Sequence, residues 1–241
     1  MNPQSSSFQP RELEFFWKIS ESVVSGRYLK EILHLIVTMT AEIMGSKICS
    51  ILLLDEKKQE LSIEATQAMS QEYVKKPNLK VGEGVSGRAV KERRPIVVPD
   101  ITKDKQYRFP DIAKKEKVVS LLCVPMMIGD RVIGVINVYT TERRVFGDAE
   151  VKLLRAVANQ AAVVIENTKL REEALEARKV AETRKVLNRA KAVMAKAMHL
   201  SEDEAHRLLL RSSRNSRKPL REVAEAVLLA FSGGAKSFPG K

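Results

Sequence analysis

VSLLCVPMMIGDRVIGVINVYT, residues 119–140, decides the fold class of this chain. Two apolar, β-branched runs, 119–127 and 131–140, flank Ile128-Gly129-Asp130. Gly-Asp between such runs signals a hairpin, because glycine tolerates positive φ. IVVPD (96–100), ELSIEATQA (60–68) and KICSILLLD (47–55) read as further strands, the last two joined by a turn over Asp55–Gln59. Before them, residues 11–44 carry helical patterning, with an apolar stripe of Leu29, Ile32, Leu33, Ile36, Val37 and Met44 closed by Gly45. Hairpins inside and helices outside predict an α+β domain around an antiparallel sheet.

Beyond the hairpin the punctuation stops. Residues 148–218 hold neither glycine nor proline and are rich in Ala, Glu, Lys, Leu and Arg, which predicts helix from Asp148 to about Met198. Val151, Leu154, Ala158, Ala161 and Ile165 recur at spacings of three and four, and Leu153, Val157 and Val164 widen the arc. One side of such a helix can cover the sheet while the other meets a second copy, so these five residues are the expected dimer helix. Ala174, Ala177 and Ala181 continue the register as small contact residues of a weak coiled coil.

The 241 residues carry a formal charge of +12, and 44% of them are hydrophobic, enough to build a core. Residues 184–221 hold 11 Lys and Arg against 3 Asp and Glu, a net of +8, or two-thirds of the whole. A field that concentrated points to a polyanion, nucleic acid or an anionic membrane surface. No apolar run approaches the length of a membrane span, and the N-terminus lacks the pattern of a secretory signal, so a cytoplasmic protein is expected. Cys49 and Cys123 sit in apolar runs, and His34, His199 and His206 are scattered singly. Neither pattern makes a disulfide scaffold or a metal site, so no metal is expected.

LKVGEGVSGRAVKERRPIVVPDI (79–101) places glycines at 82, 84 and 87. The spacing imitates a phosphate loop, but no obvious strand precedes it, and Glu83 would repel a pyrophosphate. A tight turn into a short helix, Ser86–Glu92, is the better reading. Leu79, Gly82, Gly84, Val85, Gly87, Pro95, Ile96, Asp100 and Ile101, then Ser120, Pro125, Gly134 and Asn137, resemble the running signature of a GAF domain. FGDAEVKLLRAVANQAAVVIEN (146–167) resembles that family's last helix. The resemblance covers about 25–170. It implies a six-stranded antiparallel sheet with helices on one face and a ligand pocket on the other. Segment 99–119 would be the pocket lid, setting Asp100, Tyr107, Arg108 and Phe109 near an unidentified small ligand. Val138 follows Asn137 where cyclic-nucleotide-binding members have lysine, and neither cysteine has the neighbouring histidine of bilin-binding members.

Three basic helical segments end the chain. RKVLNRAKAVMAKAM (184–198) comes first, and Ser201-Glu202-Asp203-Glu204 opens the second as a capping box. Pro219 begins the third, whose core face is Leu220, Val223, Ala224, Val227, Leu228 and Phe231. Ala190-Lys191, Met194, Ser201-Glu202, Glu204-Ala205, Leu209, Ser213, Leu220, Glu222-Val223-Ala224 and Val227 resemble the ANTAR domain of transcription antitermination regulators. That family binds paired RNA hairpins as a dimer. Arg and Lys on compact helices can contact phosphates and stack on loop bases. The candidates are Lys191, Arg211, Arg214, Arg217, Lys218 and Arg221, with Arg189 and Lys196 as second choices.

The expected organisation is a disordered 1–10, a GAF-like sensor over 11–168 and a connecting helix over 148–184. An ANTAR-like domain over 178–231 and a disordered tail over 232–241 follow. The expected function is a homodimeric regulator that binds a hairpin leader RNA, touches the transcription machinery indirectly and prevents termination. It is expected to be no enzyme, to need no cofactor and to touch no membrane. Two other readings stay open: a basic tail serving as a protein-interaction or membrane-surface module, and a thiol-dependent reductase using the GAF pocket.

Overall fold

The computed structural model describes residues 28–68 and 70–232, with Glu14, Trp17, Lys18 and Glu21 ahead of them. The expectations for 1–10 and for 233–241 lie outside the described residues. The chain divides into two compact units, residues 1–169 and 170–241.

The first unit runs α1 (Leu29–Met44), β1 (Ile48–Asp55), β2 (Glu60–Thr66), α2 (Gln71–Val74), β3 (Leu79–Lys80) and α3 (Gly84–Glu92). It continues with β4 (Ile96–Val98), α4 (Pro110–Glu116), β5 (Ser120–Ile128), β6 (Arg131–Thr140) and the start of α5 (Asp148–Met198). The six strands form one antiparallel sheet, as the GAF resemblance implies, in the order β3-β2-β1-β6-β5-β4. The decisive hairpin closes through Gly129 at φ 57°, with Ile128 paired to Arg131. Two strands escape the sequence reading in different ways. β3 is two residues long, too short for any periodicity, and β4 ends at Val98 rather than Asp100.

β1, β5 and β6 are nearly continuous apolar runs because both sheet faces are covered. On one face Cys49, Ile51, Leu122, Val124, Ile136 and Val138 meet α1 through Ile32, Leu33, Ile36 and Val37. The first turns of α5 complete that core. Leu154, Ala158, Ala161 and Ile165 are fully buried in it, and Val151 packs against it. The predicted dimer helix is therefore corrected. Those five residues seal their own sheet and are not available to a second copy, because the apolar sheet face needs the whole stripe.

The other face carries Leu52, Leu121, Cys123, Val135 and Tyr139 under α2, α3, α4 and the segments between them. α4 lies inside the segment read as a lid. It begins on Pro110 and stops at Lys117, a left-handed residue at φ 53° that no glycine announces. The glycine loop is structural. Gly82 N–H donates to the Gly87 carbonyl at 2.8 Å. Glu83 accepts from the Lys80 amide at 3.1 Å and from Arg108 Nε at 2.8 Å, so its charge is satisfied inside the protein. A Cβ on Gly87 would stand 2.2 Å from the Lys80 carbonyl oxygen, and one on Gly134 would stand 2.3 Å from that of Leu52. Buried Asn137 Nδ2 donates to Ser86 Oγ at 3.0 Å, fastening α3 to β6.

The second unit packs the last turns of α5 against α6 (Glu202–Ser216) and α7 (Leu220–Ser232). Ala190, Ala205 and Ala224, one from each helix, are fully buried, so the three backbones approach closely around Met194, Leu209 and Val223. The capping box forms: Ser201 Oγ accepts from the Glu204 amide, and the Ser201 amide donates to Glu204 Oε2 at 2.9 Å. His199 at φ 53° ends α5, with the Leu200 amide reaching back to the Ala195 carbonyl.

Alanine at Gly87 or Gly134 is expected to cost about 1–3 kcal/mol each, because backbone carbonyls cannot yield as side chains do. Alanine at Gly147, whose Cβ would meet nothing closer than 4.0 Å, is expected to stay within about 0.5 kcal/mol. Urea denaturation of the three variants measures both.

Candidate nucleic-acid interface and ligand face

Most arginines of the first unit have a local counter-charge, and most cations over residues 189–218 of the second have none among the described residues. In the first unit Arg88 and Arg94 pair with Glu92, Arg108 with Glu83, Lys115 with Glu72, Arg131 with Glu56 and Glu166, and Arg144 with Glu150. Among the described residues, none of Arg189, Lys191, Lys196, Arg211, Arg214, Arg217 and Lys218 makes a salt bridge, whereas Arg221 Nε holds Glu225 at 2.8 Å. Arg221 is thus already committed within α7, and Glu182 adds to the acidic field around it.

Two local devices place these side chains. Ser213 Oγ donates to the Lys218 carbonyl at 2.6 Å, and the Lys218 amide donates to the Ser213 carbonyl at 3.2 Å. Between them Arg217 takes the left-handed conformation, φ 53°. This closed turn holds Arg214, Arg217 and Lys218, all exposed, at the end of α6. The second device is a groove of about 440 Å³ between α5 and α6. Lys191 lines it together with Lys179, Arg184, Asn188 and His206, over an apolar floor of Val180 and Leu187. His206 Nδ1 is buried and has no hydrogen-bond partner among the described residues.

Lys191 alone of the predicted RNA-contacting residues lines that groove. Arg211 is exposed on α6. Arg189 and Lys196 are exposed on α5, but at about 100° per residue they lie roughly 140–160° around the helix from Lys191. The predicted residues therefore do not share one face. His206 and Asn188 were missed as groove residues, since only the α5–α6 packing brings them beside Lys191.

In the first unit the four predicted pocket residues separate. Asp100 accepts from the Thr102 hydroxyl at 2.6 Å and its amide at 3.0 Å, which hold its carboxyl below the usual range and occupy it in its own turn. Arg108 is spent on Glu83. Tyr107 and Phe109 turn inward onto the second sheet face, where burial pushes the Tyr107 hydroxyl up to about 12. There they join Tyr73 and Tyr139, whose rings meet edge to face with centroids 6.1 Å apart. Tyr73 Oη and Ser50 Oγ share a hydrogen bond of 3.0 Å. Lys76 Nζ stands 4.0 Å from the Tyr73 ring centroid and 5.4 Å from that of Phe109. No carboxylate answers it among the described residues, and burial lowers its pKa to about 8. Aromatic walls, hydroxyls and one ammonium are groups that can receive a small polar or anionic molecule. Neither Lys76 nor Tyr73 was singled out in the sequence, because their neighbours Phe109 and Tyr139 are distant in the chain.

The two thiols lie on opposite faces of the sheet, Cys49 in the core under α1 and α5 and Cys123 in the other. Burial raises the pKa of both, that of Cys123 to about 12. Among the described residues no cluster of three or more His, Cys, Asp or Glu could hold a metal ion, and no helix is long and apolar enough to cross a membrane.

Comparison with known proteins assigns both units. The profile of the GAF domain matches residues 27–166, and that of the ANTAR domain matches residues 171–228. The phosphoenolpyruvate-dependent phosphotransferase system protein of Escherichia coli K12 is 26% identical over 153 residues, 64% of this chain and 20% of that protein. The methyl sulfide methyltransferase-associated sensor of Methanosarcina acetivorans is 28% identical over 157 residues, 62% of this chain and 16% of that protein. The chain thus spans a fifth or less of the length of these relatives. The GAF domain of a phosphoenolpyruvate-protein phosphotransferase from Coxiella burnetii superposes with a TM-score of 0.60 at 23% identity, over 68% of this chain and 97% of that one. That likeness is one of fold.

Lys76 binds its proton less readily in the folded protein than in the unfolded chain, from the ordinary 10.5 down to about 8. Wild-type stability relative to Lys76→Met is therefore expected to be flat below about pH 8 and to rise between pH 8 and 10.5. Paired thermal melts across that range check it.

Proposed function

Because this chain belongs to the GAF domain family and carries an ANTAR domain, an RNA-binding domain, behind it, we propose a signal-responsive regulator that binds nascent RNA hairpins and prevents transcription termination. In this reading the protein works in the cytoplasm as a homodimer. The observation that carries the proposal is the uncompensated charge over residues 189–218 of the second unit. Cations on compact helices without acidic partners hold a field that a phosphate backbone neutralises with release of counterions.

Within the reading, the exposed Arg211, Arg214, Arg217 and Lys218 contact phosphates and stack on loop bases. Lys191, half-buried on α5, adds a further phosphate contact. Arg189 and Lys196, on another side of α5, serve as outlying phosphate contacts, and Arg221 contributes least because Glu225 already neutralises it. The first unit senses a small molecule or partner on the face of Tyr107, Phe109, Tyr73 and Lys76, with no cofactor and no covalent chemistry. A thiol reductase needs a reactive thiolate, and two buried thiols of raised pKa on opposite sheet faces do not supply one. The membrane-surface reading is disfavoured because the apolar stripes of α6 and α7 are spent on their own core.

Gel shifts at two salt concentrations, with a tandem-hairpin RNA against duplex DNA of equal charge, test the proposal. Hairpin preference is expected. Lys191→Ala and Arg211→Ala should each weaken binding about tenfold, Arg211→Ala also lowering the salt slope by about one, with Arg221→Ala weaker than either. Equal binding of both polyanions with slopes indifferent to these changes would refute it.

A further inference from the structure

With the first stripe of α5 sealed into the sheet, its later turns present a different one. Leu170, Glu173, Ala177, Val180, Arg184 and Leu187 follow spacings of three and four without a break, so they line one side of the helix as alternating seam positions of a coiled coil. The structure leaves most of this side open, with Leu187 half-buried against the core of the second unit. Leu170 and Val180 are 54% and 60% exposed. Glu173, Ala177, Val180 and Arg184 line one shallow groove on the helix surface, and Leu187 lines the adjoining one. Elsewhere on these turns Arg178 pairs with Glu182 at 3.0 Å and Lys179 with Glu176 at 4.0 Å. Glu173 and Arg184, the two charges on the seam, make no salt bridge among the described residues.

We propose that a second copy of this chain covers this seam, and that the two helices run antiparallel. The sense follows from charge. In a parallel pair each seam residue faces its own copy, which sets Glu173 against Glu173 and Arg184 against Arg184 in contact. In an antiparallel pair each position faces its complement. Leu170 then meets Leu187, Glu173 meets Arg184 and Ala177 meets Val180, and the two-fold axis repeats each layer. A single register matches all six residues, apolar to apolar and acid to base. Ala174 and Ala181 flank the seam on one side and let the backbones close. The contact is short, eighteen residues with two ion-paired layers, so the dimer is expected to be weak and dependent on concentration.

The inference rests on the homodimer reading given above and adds the surface and the sense. Sedimentation velocity of the full chain and of charge variants tests it. Glu173→Arg and Arg184→Glu should each weaken dimerisation about tenfold or more, since the symmetry doubles every change, and the double variant should restore it. A parallel pair would respond to neither exchange. Disulfide trapping fixes the sense directly, and Cys49 and Cys123, fully buried, do not interfere. A mixture of Glu173→Cys and Arg184→Cys chains should cross-link as a heterodimer, with each alone remaining uncross-linked. Cross-linking of each single variant with itself would overturn the antiparallel sense and leave the homodimer standing. A monomer at every concentration would overturn both, and loss of RNA affinity in Arg184→Glu with no change in assembly would assign the groove to RNA instead.

Discussion

The burial of the first turns of α5 against the sheet is the constraint on which the rest depends. A six-stranded sheet with apolar residues on both faces cannot leave either face wet. α1 supplies only one stripe, so the inward side of α5, Leu154 through Ile165, is consumed in closing the remainder. Once that side is taken, any contact the helix makes with a second copy must use another part of it. The heptad-like register read across the whole helix therefore holds two separate stripes. One belongs to the fold, and the other, from Leu170 onward, is the seam proposed for assembly.

Electrostatics divides the chain along the same line. The first unit neutralises most of its arginines locally, often across long sequence separations, as Arg131 does with Glu56 and Glu166. In the second unit Arg178, Lys179 and Arg221 pair with neighbouring glutamates, while among the described residues none of Arg189, Lys191, Lys196, Arg211, Arg214, Arg217 and Lys218 makes a salt bridge. Self-repulsion of this kind destabilises a small bundle, and three buried alanines and a capping box offset it by close backbone packing and satisfied helix ends. That field suits the polyanionic partner proposed for the unit.

Much of the architecture was legible in the residues. The Gly129 hairpin, the strands of the sheet centre, the helix closed by Gly45 and the Ser201 capping box are local signals with local causes. Elements that resist sequence reading are those whose signals are absent or whose partners are remote. β3 is two residues long. α3, α4, α5 and α6 end on Arg93, Lys117, His199 and Arg217 in the left-handed region, with no glycine to mark the stop. Asp100 and Arg108 carry the right chemistry for a ligand, yet the turn at Thr102 and the carboxylate of Glu83 reach them first. Lys76 and Tyr73 emerged only when Phe109 and Tyr139 were folded onto them.

What the sequence determined by itself was the class of each unit: an antiparallel sheet sheathed by helices, then a basic three-helix module. Turn chemistry, hydrophobic period and charge density are properties of neighbouring residues, and they survive without knowledge of the fold. Tertiary structure alone decided which face of α5 is spent, which cations remain unpaired, and which side chains gather around Lys76 and His206. Those outcomes are settled by competition between groups far apart in the chain, where burial of the larger apolar area and pairing with the nearest opposite charge prevail.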